Sequence, residues 1–443
     1  MTTTKNNEHK KLNFSSEREQ SQACLNSAEH EKNQGRKVLN VPNKQKQKQT
    51  CLDSAEREGL RPKGNVPNLR FPEFQGEWEE HYLSDYLDFK NGLNPKPDKF
   101  GRGIKFISVM DILNNTVITN DCIRVSVDVS EEELHNFCVE NGDMLFQRSS
   151  ETLEDVGRAN VYMDDKPAVF GGFVIRGKKK AEYNPLFFRY LLASPFARRK
   201  IIPMGAGAQH FNIGQEGLNR VKLHFASLDE QKKIATFLSL LDERIATQNK
   251  IIEDLKKLKS AISKKLVCND KWTTYKIQDI AEIGRGRVIS SVEIDRQKHP
   301  LYPVYSSQTS NNGIMGYLDN YMFDGEYITW TTDGANAGTV FYRKGKFNCT
   351  NVCGTLKILP KFDCYFVSLV LQQATQKYVS SNLANPKLMN NTMASIKIRM
   401  PNIETQKQLS KVFQTLDSCL LVHQRTCKMY LSEKQYLLRQ MFI

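Results

Sequence analysis

A stretch of 39 residues without glycine or proline occurs twice in this chain, and that repetition restricts the available folds more than any single motif does. In the first copy, Leu228–Leu266, apolar residues recur at alternating steps of three and four. The series is Ile234, Leu238, Leu241, Ile245, Gln248, Ile252, Leu255, Lys259, Ile262 and Leu266, of which eight are apolar. Such a stripe predicts a coiled-coil seam rather than a helix merely lying on a globular core. Asp229 and Glu230 in the first turn and Lys264 and Lys265 in the last complement the helix dipole.

The second copy lies 175 residues further on. Ile403, Gln406, Leu409, Phe413, Leu416 and Asp417 match Leu228, Gln231, Ile234, Leu238, Leu241 and Asp242. The seam continues through Leu420, His423, Cys427, Tyr430, Lys434, Leu437 and Met441. Both seams are broken by polar residues at the same two places, Gln248 with His423 and Lys259 with Lys434. A register shared down to its flaws identifies an internal duplication. If the two helices pack antiparallel, equivalent residues exchange and Gln248 faces His423 at the midpoint. There the pair either pins the register at a cost in stability or marks a wetter point of the seam. A helix from Asp229 to Val267 holds 39 residues, about 58 Å at ~1.5 Å per residue.

A duplicated globular part precedes each helix. Trp78, Leu83, Asp85, Phe89 and Gly92 meet Trp272, Ile277, Asp279, Ile283 and Gly286 at an offset of 194. Short β-rich runs follow: KFISVMDI, CIRVSV, DMLFQR and AVFGGFVIRG in the first unit, YPVYSS, EYITWTT, GTVFYRKGKF and GTLKILP in the second. Each unit then has a helical stretch and a polar loop leading into a strand. Because the offset shrinks from 194 to 175, the units share a frame while their loops differ. Two modules doing one job on two different targets would have this form.

The predicted architecture is α+β: two pseudo-repeated α/β units separated by two long antiparallel coiled-coil helices, with a disordered N-terminal tail. Its divisions are a basic tail at 1–70, a first unit at 71–228, a helix at 229–269, a second unit at 270–403 and a helix at 404–443. The tail is rich in Lys, Gln, Asn, Glu and Ser and almost free of aromatics, so it cannot bury enough surface to offset chain entropy. It repeats CLNSAEHE as CLDSAERE and NVPN at 40–43 and 65–68. It reads as a duplicated junction with a solvated charge run, or as a basic arm that touches a nucleic-acid backbone.

The formal net charge is +14 and the pI about 9.2, which favours a polyanionic partner. The chain contains no run of 18 apolar residues and its polar N-terminus lacks a signal-peptide core, so a cytoplasmic protein without a membrane partner is expected. Cys349, Cys353 and Cys364 stand near one another, but no CxxC or adjacent His completes a zinc set; buried or idle thiols are expected. Enzyme motifs are missing as well. The chain has no GxxxxGK[ST] phosphate loop, and NPKP, NPLF and NPKL all lack the adjacent prolines of an amino-methyltransferase tetrad. The acidic set Asp164–Asp165–Lys166 stands in a turn-like setting.

These features together resemble the specificity subunit of type I restriction–modification systems. The paired openings LRFPEFQGEWEEHYLSDY and KWTTYKIQDI carry the resemblance, with the paired helix heads SLDEQKKIATFLSLLDERI and NIETQKQLSKVFQTLDSCL. It covers roughly residues 65–443. The resemblance implies that each unit is a target recognition domain reading one half of a split site in double-stranded DNA. It implies helices that hold the units apart and dock methyltransferase subunits, two of them, with restriction subunits added. It further implies no catalysis by this chain itself: S-adenosylmethionine, ATP and Mg2+ are used by the partners. The alternative is a coiled-coil adaptor whose units bind protein.

Phosphate grip needs Lys, Arg and small hydroxyl residues, and base reading needs Arg, Lys, Asn, Gln or Ser on loops that reach a groove. In the first unit the candidates are Lys90, Asn91, Arg148, Ser149, Ser150, Arg158, Gln209, His210 and Asn212. In the second they are Arg285, Arg287, Ser306, Ser307, Gln308, Thr331, Thr332, Asn336, Asn385 and Lys387. The loops 205–212 and 380–387 rank first because each precedes an equivalent strand.

Overall fold

The computed structural model describes residues 64–207, 209–267, 271–380 and 385–443. The tail up to residue 63, including its CLNSAEHE and CLDSAERE repeat, lies outside the described residues.

Each unit is built on a four-stranded sheet of the same topology. In the first, β1 (Leu87–Asn91), β2 (Met144–Gln147), β3 (Ala159–Val161) and β4 (Val174–Lys179) lie in the order β1-β4-β2-β3. In the second, β5 (Ala281–Arg285), β6 (Glu326–Thr331), β7 (Val340–Lys344) and β8 (Cys353–Ile358) lie in the order β5-β8-β6-β7. All neighbours in both sheets are antiparallel. A short antiparallel pair closes each unit onto its own start, Glu79–Tyr82 with Lys222–Phe225 and Thr273–Lys276 with Lys397–Met400.

Four helices tie the units together: α1 (Pro185–Ala193), α2 (Leu228–Val267), α3 (Cys364–Ala374) and α4 (Ile403–Gln440). The starts of α1 and α3 are set locally, where Asn184 accepts from Phe187 N and Asp363 accepts from Phe366 N. The same two cap residues meet the repeated glutamines of the long helices. Gln231 Oε1 accepts from Asn184 N and Gln406 Oε1 from Asp363 N, both at 3.0 Å. Each glutamine also donates its amide nitrogen to a carbonyl just before its own helix, that of Ala226 or Pro401. Buried polar groups satisfied on both sides explain why glutamine stands at both positions.

Each core uses a tryptophan beside an aromatic of its short helix, Trp78 with Phe187 at 5.8 Å and Trp272 with Phe366 at 5.9 Å. Ile234, Leu238 and Leu241 of α2 belong to the first unit's core, and Phe413 of α4 belongs to the second. The far ends cross over. Leu437 and Met441, together with Phe442 and Ile443, are buried in the first unit's core, while Ile262 packs against the second.

Two expectations are corrected here. The apolar stripe does not serve a helix–helix seam alone: its outer turns also pack in the globular cores. A stripe serving two surfaces has the same period as a seam, so sequence could not separate them. Order also starts before residue 71, because Asn65 O accepts from Trp78 N, Leu69 N donates to Gln440 O at 2.9 Å, and Arg70 pairs with Glu230 at 2.7 Å. Backbone pairing and a shielded ion pair hold a segment whose composition alone reads as tail. Cys349, Cys353 and Cys364 are buried thiols, and burial pushes Cys353 up to about 11 and Cys364 up to about 12.

Candidate nucleic-acid interface and its helical frame

The two highest-ranked loops occupy the same place in their units. Ile213 N donates to Arg148 O and Leu388 N to Thr332 O, so each loop is laid against the segment following the second strand of its sheet. In the first unit this brings Ser149 to Asn212, hydroxyl to carboxamide oxygen at 2.5 Å, within the short pair Ser149–Ser150 and Phe211–Asn212. Gln209, His210 and Asn212 are exposed around it. Arg148 is half-buried and donates to Gly172 O at 3.2 Å, and Ser150 Oγ accepts from Thr152 N. Arg158 is paired with Asp155 at 2.5 Å. Lys90 donates to Asn136 O at 2.8 Å with its ammonium over the Phe137 ring, while Asn91 is exposed at the end of β1.

In the second unit Asp333 bridges Lys387 and Gly334 N donates to Pro386 O, which gathers Arg285, Thr332, Asn385 and Lys387. Asn336, Asn385 and Lys387 are exposed. Residue 208 of the first loop and 381–384 of the second lie outside the described residues.

Several candidates face inward. Thr331 and Thr332 are buried, and Thr332 Oγ1 accepts from Arg285 Nη2 at 2.9 Å. The last four residues of β6 are all buried, and residue type alone does not show which polar side chains lie inside. Arg287 is engaged by Glu293, whose carboxyl the arginine's hydrogen bonds hold below the ordinary glutamate range. Ser306 accepts from Thr350 Oγ1 at 3.3 Å, Gln308 donates to Ile314 O at 2.5 Å, and Ser307 is half-buried between them.

The frame that spaces the two loop clusters is held by a symmetric set of polar contacts. Lys434 meets Asp242, and Lys259 meets Asp417. Between them His423 Nδ1 and Gln248 Oε1 stand 2.7 Å apart. The start of α2 therefore meets the end of α4 and the reverse, so the central parts of the helices run antiparallel, with Gln248 and His423 face to face and each lysine break set against an aspartate of the other helix.

Each aspartate also holds its own unit's short helix. Tyr190 OH donates to Asp242 at 2.8 Å, with Arg189 at 3.4 Å, and Tyr365 OH donates to Asp417 at 2.5 Å. Burial and the neighbouring carboxylate push both phenols up, so they stay neutral donors. The aspartates were visible in sequence as a repeated Leu–Asp pair; their role was not, because the lysine partners lie on the other helix.

The comparisons with known proteins agree with this duplicated plan. A family model described as the type I restriction modification DNA specificity domain matches twice, over residues 75–257 and 269–428. A Mycoplasma pneumoniae protein named as a type I specificity subunit is 38% identical over 195 residues, 43% of this chain and 81% of that one. The type I restriction enzyme MpnII specificity subunit of the same organism is 42% identical over 145 residues, 32% of this chain and 43% of its own length. A crystal structure of the S subunit of a type I restriction–modification system from M. genitalium superposes with a TM-score of 0.60 at 17% identity, covering 85% of this chain and 99% of that one. With most of its length matched by two copies of that model, the chain belongs to the type I restriction–modification DNA specificity family.

Proposed function

We propose that this chain is the DNA-reading subunit of a type I restriction–modification complex, in which each globular unit reads one half of a gapped site. The observation that carries the reading is the pair of sheets of one topology with unlike polar loops laid at the same place on each. One frame presented twice, with different surfaces, suits two half-sites of different sequence. The units correspond to residues 71–228 and 270–403, extended at the front to Gly64, and α2 and α4 act as a coiled-coil spacer. At 40 residues, α2 spans about 60 Å at ~1.5 Å per residue.

Methyltransferase subunits dock along the outer faces of the long helices. Phe237 and Val412 stand at equivalent positions of the repeat and are 40% and 49% exposed, which supplies one apolar contact for each of two partner subunits. The partners bind S-adenosylmethionine and flip the adenine out of the stack, since a stacked base is out of reach of the chemistry. Restriction subunits with ATP and Mg2+ add cleavage.

The test is sequencing of methylated adenines in a host expressing this chain with its methyltransferase, against a host without this chain. A two-part gapped motif should appear only with the chain, and exchanging residues 271–402 should change one half of it. Assembly of the complex without any methylation would overturn the reading and favour a protein adaptor. The affinity for duplex DNA should also fall steeply with salt, as counterion release requires.

A further inference from the structure

The second unit carries a turn that the first lacks, at a matched position of the frame. Tyr302–Tyr305 runs parallel to Asn348–Cys349, as Phe100–Ile107 runs parallel to Ala168–Phe170. The next hydrogen bond is also shared, Thr350 N to Tyr305 O and Gly171 N to Ile107 O. Beyond this point the chains diverge. The first unit forms the helix Val109–Asn114, and the second forms the turn Ser306–Gly313, SSQTSNNG, leading into the strand Ile314–Leu318.

The backbone of this turn is unusual. Asn311 (φ 48, ψ 38) and Asn312 (φ 53, ψ 29) are the positive-φ residues other than glycine among the described residues, and Gly313 follows at φ 82. Asparagine tolerates the left-handed region singly, but consecutive left-handed residues are disfavoured for L-amino acids. Conformations of this kind persist where the surroundings impose them, and they cluster at functional sites.

The surroundings are a buried cation. Arg343 lies with its guanidinium 3.6 Å from the centroid of the Tyr305 ring and 4.4 Å from that of Phe341, and it donates to Thr329 Oγ1 at 3.2 Å. It is 3% exposed, and no carboxylate pairs with it among the described residues. Its Nη2 lies so close under Gly313 that a Cβ there would stand 3.1 Å away. Burial lowers its pKa, so the charge is held at some cost and directs a positive potential at the turn. Ser306 N to Gly313 O and Gln308 to Ile314 O lock the base of the turn.

What remains outward is small, uncharged and amide-rich. Thr309, Ser310, Asn311 and Asn312 are exposed. Asn311 makes a long bond of 3.4 Å to Ile314 O, and the Asn312 carboxamide has no partner among the described residues. We infer that the Asn311–Asn312 turn is the base-reading tip of the second unit, its carboxamides directed at an adenine edge and its left-handed backbone held by Arg343 and Gly313. A carboxamide offers one donor and one acceptor side by side, which matches adenine N7 and N6 in the major groove. The hydroxyls of Thr309 and Ser310 suit the flanking phosphates. This rests on the proposed DNA-reading function and specifies which residues perform it in one unit.

The test replaces both asparagines with glycine, Asn311→Gly and Asn312→Gly, in the full chain assembled with its methyltransferase. Glycine takes the left-handed conformation freely, so the fold is kept and only the carboxamides go. The half-site of the second unit is first assigned by exchanging residues 271–402. In that half, discrimination at one A·T pair should drop on the order of ten- to a hundred-fold, with the other half, the gap and the melting temperature unchanged. Loss of all methylation at unchanged melting temperature would count the same way. An unchanged motif would overturn the inference alone, as would loss of discrimination confined to a G·C pair. No gapped motif from the parent chain would overturn the DNA-reading function with it.

Discussion

Removing one heptad from each long helix, Ile245–Ile251 from α2 and Leu420–Thr426 from α4, should shorten the unread gap while leaving both half-sites unchanged. The two segments are equivalent in the repeat and face each other around Gln248 and His423. Asp242 and Lys434 both lie on the first unit's side of the deletion, and Lys259 and Asp417 on the second's, so both polar contacts survive it. Seven residues shorten a helix by ~10 Å and turn it back by only ~20°, so the same faces stay against the same partners. At ~3.4 Å per base pair that is about three base pairs of gap. Methylated-adenine sequencing reads the outcome directly. A changed base in either half would refute the spacer role, since no residue of the globular loops is altered. An unchanged gap with full activity would refute it too, because the units would then be placed by something other than helix length. Removing four residues from α2 alone, Lys256–Lys259, serves as the contrast: it takes away Lys259 and rotates the remainder by ~40°, so activity should be lost or the gap become irregular.

The two polar contacts should differ in cost although the repeat makes them equivalent. Asp242 is 9% exposed and Lys434 19%, whereas Asp417 is 40% exposed and Lys259 25%. Lys434→Met should cost about 2 kcal/mol, less than a fully abandoned buried charge because Tyr190 and Arg189 remain on Asp242. Lys259→Met should cost about 0.5–1 kcal/mol. Urea unfolding measures both, and equal costs would remove burial as the cause. Gly354→Ala should destabilise the second unit by about 3 kcal/mol, since the new Cβ would stand 2.1 Å from the buried Trp330 ring; retained stability in thermal unfolding would contradict the packing. Asp143, buried and bonded to the backbone N–H of Glu140 and Lys179, has its pKa raised by burial above the ordinary 3.8. Between those values the folded chain holds a proton that the unfolded chain releases, so this group's contribution falls as pH rises through the window. Asp143→Asn should abolish that slope in stability-versus-pH curves, and an identical slope in the variant would exclude Asp143 as its source.

What could be read from sequence was what the duplication preserved. Gln231 with Gln406 and Asp242 with Asp417 recur because each fixes a long helix to a short one, and such contacts cannot be lost without loosening a unit. The tryptophan openings recur for the same reason. Three things escaped. The stripe on α2 and α4 is shared between globular cores and the opposite helix, which its period does not record. The meeting of Lys434 with Asp242 depends on antiparallel docking, and no local pattern announces it. Among the polar loop residues, type alone does not give direction: Thr331 is buried, and Thr332, Ser306 and Gln308 bond within the unit. Asn-Asn-Gly, by contrast, carries a turn signal of its own, since both residue types tolerate positive φ.

That division between inward contacts and exposed tips bears on how one frame can serve two targets. Contacts repeated between the units face inward, to the caps, the glutamines and the aspartates, whereas the segment after Tyr305 and the one after Ile107 leave the same hydrogen bond and go separate ways. A change in what is read therefore needs no change in what holds the unit to the helices. Each long helix starts on one core and ends against the other, so the separation of the two reading surfaces is fixed independently of their loops. Loop exchange and helix length are then two separate controls, one over the bases and one over the gap. If one variant altered both, the two could not be separate.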